Sequence, residues 1–217
     1  MENGANPIEP GPSSPRKRAA DLLEEAIVLL GAHPGDAPAA AIVRLAKEGL
    51  AAPSSDATPL LRLGHALEDQ GRYEVASEFF QEAVKVDPGS PLAWTNLGEI
   101  HRKLVRWDEA LRAYDEALAR DAEYLWAIAG RGEALRMLGR LEESVTAFRS
   151  AVERAPDHLF AVQGLAAALS ELGRHRDALP MWETALRLRP ESGFASDGLS
   201  RCHNELATRA DDRTLGS

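Results

Sequence analysis

The sequence is poor in several things, and each shortage removes a class of protein. It has one cysteine, Cys202, in 217 residues. No intrachain disulfide can form, which permits a reducing compartment. Aromatic residues make up only 6% of the chain while Leu and Ala supply most of the apolar bulk, a balance that favours helices over sheets. Basic residues are outnumbered, with Lys+Arg 25 against Asp+Glu 34 and a formal charge of −9. A nucleic-acid partner is not expected, because such proteins usually carry a basic stripe. The acidic excess lies in the first 124 residues, and the remainder is near balance. Long apolar runs are missing too: Ala26 to Leu30 is too short to cross a bilayer, and Met1 to Pro15 lacks a signal peptide's apolar segment. These shortages lead to an expectation of a soluble, cytoplasmic chain with no membrane insertion.

Sites of chemistry are equally scarce. The six histidines never fall three or four residues apart, and no cysteine lies near enough to complete a zinc pattern. No Gly-x-Ser-x-Gly elbow, phosphate-binding glycine loop or dinucleotide fingerprint occurs. The reading is therefore non-enzymatic, with no catalytic residue, no metal and no cofactor. Cys202 shares a column with Ala66, Ile100, Ala134 and Ala168 and is read as a buried small hydrophobe. His101 and His203 fall in a packing column and are read as half-buried structural histidines.

What the chain does have is a 34-residue period. Leu63-Gly64 recurs as Leu97-Gly98, Arg131-Gly132, Leu165-Ala166 and Leu199-Ser200. Ala83 recurs as Ala117, Ala151 and Ala185, and Phe80 as Tyr114, Phe148 and Trp182. A period of this length signals stacked helical hairpins. Residues 57–192 hold four of them: 57–90, 91–124, 125–158 and 159–192. Gly71, Gly139 and Gly173 mark the turns, with Val105 in the second copy. Pro88, Pro156 and Pro190 end the second helices, with Ala122 in the second copy. Ser90-Pro91 is a cap followed by proline at the first helical position. Gly64, Gly98 and Gly132 are read as facing the small residues Ala76, Ala110 and Ser144, so that paired helices approach closely.

Outside the repeats, residues 1–14 are expected to be a disordered tail and 15–56 a degenerate N-terminal hairpin or cap. Residues 193–208 are expected to form a capping helix. On it Ser196, Ser200 and His203 face the missing second helix, while Ala195, Leu199, Cys202 and Leu206 meet the preceding repeat. Residues 209–217, with no apolar stripe, are expected to be disordered.

These columns resemble the tetratricopeptide repeat. The second copy shows Trp94, Leu97-Gly98, Trp107, Ala110, Tyr114 and Ala117. The first shows Leu63-Gly64, Leu67, Gly71, Tyr73, Ala76, Phe80, Ala83 and Pro88. Arg131, Ser144 and Ala166 depart from the pattern. The resemblance implies an all-α, right-handed superhelical solenoid of antiparallel helix pairs with a C-terminal capping helix. It implies a concave face lined by first helices and a role in binding peptide segments or partner domains. Some members hold a C-terminal carboxylate of heat-shock chaperones with Lys and Asn on the first helix. Here the matching positions are Leu61 and His65, then Thr95 and Glu99, so that role is not expected.

Helical geometry places Asn96, Glu99, Arg102 and Lys103 on the exposed side of the second repeat's first helix. The third repeat contributes Trp126, Ala129, Glu133, Arg136 and Met137, and the fourth Phe160, Gln163, Ala167 and Ser170. The predicted partner-binding groove is Asn96, Glu99, Arg102, Trp126, Glu133, Arg136, Phe160 and Gln163. Leu92, Trp126, Phe160 and Phe194 form a column of large apolar residues, either anchors for a partner or core at the hairpin junctions. The leading functional expectation is a protein-protein interaction adaptor. The alternatives are a self-assembling scaffold plugged by the N-terminal hairpin, or a regulatory or assembly subunit of a separately encoded enzyme.

Overall fold

The computed structural model describes residues 56–215, with side chains to 208. The expectations for 1–14 and for nearly all of 15–56 lie outside the described residues. The chain divides into two compact units, Met1–Pro88 and Gly89–Ser217. The repeats were read as one array, whereas this division falls after the first copy, at the helix-breaking pair Pro88-Gly89.

The described part of the first unit is one hairpin, α1 (Thr58–Asp69) and α2 (Tyr73–Val86). Asp56 Oδ1 accepts from the Thr58 amide at 2.8 Å, which holds the start of α1. Leu60, Leu63 and Leu67 of α1 close on Ala76, Phe79, Phe80 and Ala83 of α2, all at most 1% exposed.

The second unit is α3 (Pro91–Lys103), α4 (Trp107–Arg120), α5 (Leu125–Met137), α6 (Leu141–Arg154), α7 (Leu159–Glu171), α8 (His175–Leu188) and α9 (Gly193–Leu215). Each helix packs on the next in sequence. The first helices α3, α5, α7 and α9 also touch one another directly, forming the inner row of this unit.

The turns are built alike. The residue after each first helix is followed by a left-handed residue: Gly71 (φ 72°), Val105 (φ 60°), Gly139 (φ 74°) or Gly173 (φ 71°). The next amide bonds back five residues, as from Arg106 to the His101 carbonyl and from Arg140 to the Leu135 carbonyl, both 2.9 Å. Val105 adopts the same backbone as the glycines despite its branched Cβ. Second helices end in register whether or not proline follows. Where Ala122 stands for proline, Asp121 makes the stop: its Oδ1 accepts from the Glu123 amide at 2.9 Å and its carbonyl accepts from the Tyr124 amide at 3.2 Å.

The glycines face aromatic rings as well as small residues. A Cβ on Gly64 would collide with Phe80 and on Gly98 with Tyr114, and one on Gly132 would press on Phe148. Ser144 does meet Gly132, its hydroxyl donating to the Gly132 carbonyl at 2.7 Å. A second glycine column seats the same rings from the next hairpin. A Cβ on Gly130 would strike Tyr114, on Gly164 Phe148, and on Gly198 Trp182. Tyr114 and Phe148 are therefore each clamped between glycines of two first helices. Ala93, Ala127, Ala161 and Ala195 are fully buried beside them, as the column predicts.

The terminal helix carries the expected two faces. Ser196, Ser200 and His203 are exposed, while Ala195 and Cys202 are buried. His203 corrects the reading as half-buried, since the column that buries His101 has no second helix to cover it at this end. The helix also continues to Leu215, past the expected end at 208, because no Gly or Pro interrupts it between Gly198 and Gly216.

A candidate peptide groove on the first helices

The inner row of the second unit bears a groove of about 500 Å³. α3 supplies Leu92, Thr95, Asn96, Glu99 and Arg102, α5 supplies Trp126 and Gly130 with Tyr124 just before it, and α7 supplies Phe160. No second helix contributes to this lining. The apolar residues at its mouth are unusually open: Leu92 is 46% exposed, Trp126 62% and Phe160 38%. The aromatic column packs in part at the hairpin junctions. Phe160 meets Phe148 in a T-shaped pair with ring centroids 6.0 Å apart, and Phe194 meets Trp182 likewise at 5.3 Å, while Phe160 and Phe194 both stay exposed.

His158 sets these rings. Its own ring lies edge-on to Trp126 at 4.9 Å and to Phe160 at 6.5 Å. Its Nδ1 accepts from the Ala161 amide at 3.2 Å, capping α7. One side chain therefore starts the helix and props two rings of the groove. It was not singled out in the sequence. The signal available was its position just before the apolar run of α7, the place that Ser90 holds before α3.

The floor is ionic but closed on itself. Arg102 Nε donates to Glu99 Oε2 at 3.0 Å and Nη2 donates to Oε1, forming a bidentate fork. The Tyr114 hydroxyl adds a third bond to Glu99 Oε2 at 3.1 Å. Burial first, and then the Glu99 carboxylate, push this phenol well above its ordinary titration range, so it remains a donor. The bonds to Glu99 raise Arg102 above its ordinary value against the opposing effect of burial.

The fork recurs one repeat on. Arg136 donates to Glu133 through Nε (2.9 Å) and Nη2 (2.8 Å), and reaches Glu171 through Nη1 at 2.5 Å. In α7 the same positions are Ala167 and Ser170, and a second cavity of about 630 Å³ opens there. It is lined by Arg136, Glu171, Trp182, Phe194, Arg201 and Glu205, among others. Ser170 Oγ accepts from Trp182 Nε1 at 3.1 Å and lies 3.3 Å from Cys202 Sγ, which is fully buried.

The predicted groove residues thus separate. Asn96, Glu99, Arg102, Trp126 and Phe160 line the first cavity, and Arg136 lines the second. Glu133 and Gln163 line neither. Glu133 is engaged by Arg136, and Gln163 Nε2 donates to Ser192 Oγ at 3.0 Å, tying α7 to the start of α9. Ala129 and Ala167, expected on the exposed side, are buried at 0% and 8% because neighbouring first helices cover them. Among the described residues no group of three or more His, Cys, Asp or Glu gathers for a metal ion, and no helix is long and apolar enough to cross a membrane.

Comparison with known proteins agrees with this architecture. Tetratricopeptide-repeat models match residues 61–124 and residues 103–169. No curated protein matches the chain. Among solved structures, YrrB, a TPR protein with an unusual peptide-binding site, is 22% identical with a TM-score of 0.64, over 82% of this chain and 87% of that one. MamA from Desulfovibrio magneticus RS-1 is 21% identical with a TM-score of 0.65, over 83% of this chain and 98% of that one. The first TPR of Spaghetti (RPAP3), bound to the HSP90 peptide SRMEEVD, is 26% identical with a TM-score of 0.53, over 54% of this chain and 93% of that one. The chain belongs to the tetratricopeptide-repeat family, an all-α solenoid of helical hairpins closed by a terminal helix.

Proposed function

We propose that this protein is a non-enzymatic interaction adaptor whose groove on α3, α5 and α7 holds a segment of another protein. The observation that carries this reading is the convergence of Leu92, Trp126 and Phe160, three of the seven exposed large apolar side chains among the described residues, on one cavity. Aromatic anchors in a concave site are the usual carriers of binding energy. They are held in place before any partner arrives, by His158 and Phe148, which reduces the ordering cost of binding. Two solved relatives point the same way: YrrB has a peptide-binding site and the Spaghetti repeat holds a peptide.

The test is capture from native lysate by the full chain and by Trp126→Ala and Phe160→Ala variants, read by mass spectrometry. Both side chains are exposed enough for the fold to survive their removal. The reading expects proteins captured by the parent to be lost by both variants, and an unchanged set would remove it. Arg136 is a poor probe, because its loss leaves Glu133 and Glu171 uncompensated as well as altering a surface. Light scattering of the free chain separates a partner from a second copy as occupant. A monomeric mass supports a partner, and a dimer that dissociates on Trp126→Ala supports a copy.

A further inference from the structure

The charge state of the groove narrows what it can hold, given that it is the binding site. Its only charged lining residues are Glu99 and Arg102. Both carboxylate oxygens of Glu99 are taken by Arg102, and Oε2 is also bonded by Tyr114. The guanidinium is thereby neutralised within its own helix turn, and no second cation lines the cavity. Around this closed pair stand Leu92, Tyr124, Trp126 and Phe160, with Gly130 in the lining beside them. The end cavity differs, since Arg201 and Glu205 line it with Arg136 and Glu171.

We infer that the groove selects an uncharged, extended segment carrying a bulky aromatic or aliphatic side chain, and rejects one that presents a carboxylate beside that anchor. An apolar side chain gains by covering the exposed faces of Trp126 and Phe160. A carboxylate entering the same space would lose its water and find no unpaired cation, unless Arg102 gave up its fork to Glu99 and stranded that group instead. The N–H groups of Arg102 not used by Glu99 suit main-chain carbonyl oxygens, which bring no charge of their own. This inference rests on the reading of the groove as a peptide site, and it adds the chemistry of the occupant.

A displayed library of random decapeptides, selected on the full chain, tests it. The expected winners share a Trp, Phe, Leu or Met anchor and lack Asp and Glu on either side of it. Titration calorimetry of the most enriched peptide should then show about tenfold weaker binding when a residue flanking the anchor is changed to Asp. Trp126→Ala should weaken the unchanged peptide by about tenfold or more. Glu99→Gln, which releases the Arg102 charge, should narrow the penalty for Asp, with circular dichroism confirming that helicity is kept. Winners dominated by acidic residues, or dependent on a free C-terminal carboxylate, yet still sensitive to Trp126→Ala, overturn the inferred chemistry and leave the groove as the site. Winners indifferent to Trp126→Ala, or no winners at all, overturn the groove itself and the inference with it.

Discussion

Val105 and His101 carry backbone or polar misfits that the rest of the fold tolerates. Val105 is the only non-glycine with positive φ among the described residues, at a turn where three sister positions are glycine. A left-handed L-residue costs roughly 1–2 kcal/mol, and glycine returns part of that through its looser unfolded chain. Val105→Gly should therefore stabilise the protein by about 1 kcal/mol, seen as a Tm rise of about 2–4 °C. Because Val105 is 66% exposed, little packing is lost with its side chain. His101 is the second misfit. It is 8% exposed, its Nδ1 is buried with no hydrogen-bond partner, and Leu67, Leu135 and Leu169 fill the equivalent positions. Burial holds its titration below the ordinary range. Near pH 6.5 and below, the unfolded chain therefore binds a proton that the folded one refuses, and stability falls as pH falls through that window. His101→Leu should add about 1–2 kcal/mol near pH 7.5 and should flatten the loss between pH 7 and 5 in denaturant titrations. An unchanged pH slope would show that other groups set it.

At the scale of elements, most of what holds the hairpins was legible in the sequence, while several contacts between them were not. Ala83, Ala117, Ala151 and Ala185 are fully buried, and Phe80, Tyr114, Phe148 and Trp182 are at most 1% exposed, as their columns demanded. Single-helix geometry failed at Ala129 and Ala167, where exposure depends on how tightly the first helices pack together. It also gave no sign that Gly130 and Gly164 seat the preceding rings, since that contact joins residues of different repeats. The groove was legible through its aromatic column, but the closing of Arg102 on Glu99 was not drawn from their three-residue spacing. His158 joins a helix start to the groove, which makes a two-part prediction possible. His158→Ala should cost about 1 kcal/mol through the lost cap, and His158→Ser should recover most of it. Serine cannot replace the imidazole edge against Trp126, so His158→Ser should still bind groove ligands more weakly. Urea melts and peptide titrations on the same two variants separate the roles.

For the whole molecule, burial within the second unit is greatest in α5 and α7, which have neighbouring first helices on both sides. Eight residues of α7 are buried, including the unbroken run Gly164 to Leu169. In a stacked array, local stability follows the number of neighbours. Native-state hydrogen exchange should therefore be slowest in Ala127–Leu135 and Ala161–Leu169, and fastest in α9 beyond Ala207. Uniform protection along the unit would instead mark a single cooperative block.

The clamped rings also limit how such an array could lengthen by duplication. Tyr114 and Phe148 each take one seat from a glycine of their own hairpin, and Tyr114, Phe148 and Trp182 take the next from Gly130, Gly164 or Gly198 of the element that follows. A cassette cut at the hairpin boundaries carries a ring without its second seat. It is complete only when another first helix is already waiting downstream. The terminal helix supplies the last seat, through Gly198 against Trp182. Added copies are therefore accommodated ahead of α9, and a hairpin appended behind it would meet Ser196, Ser200 and His203, a face shaped for water.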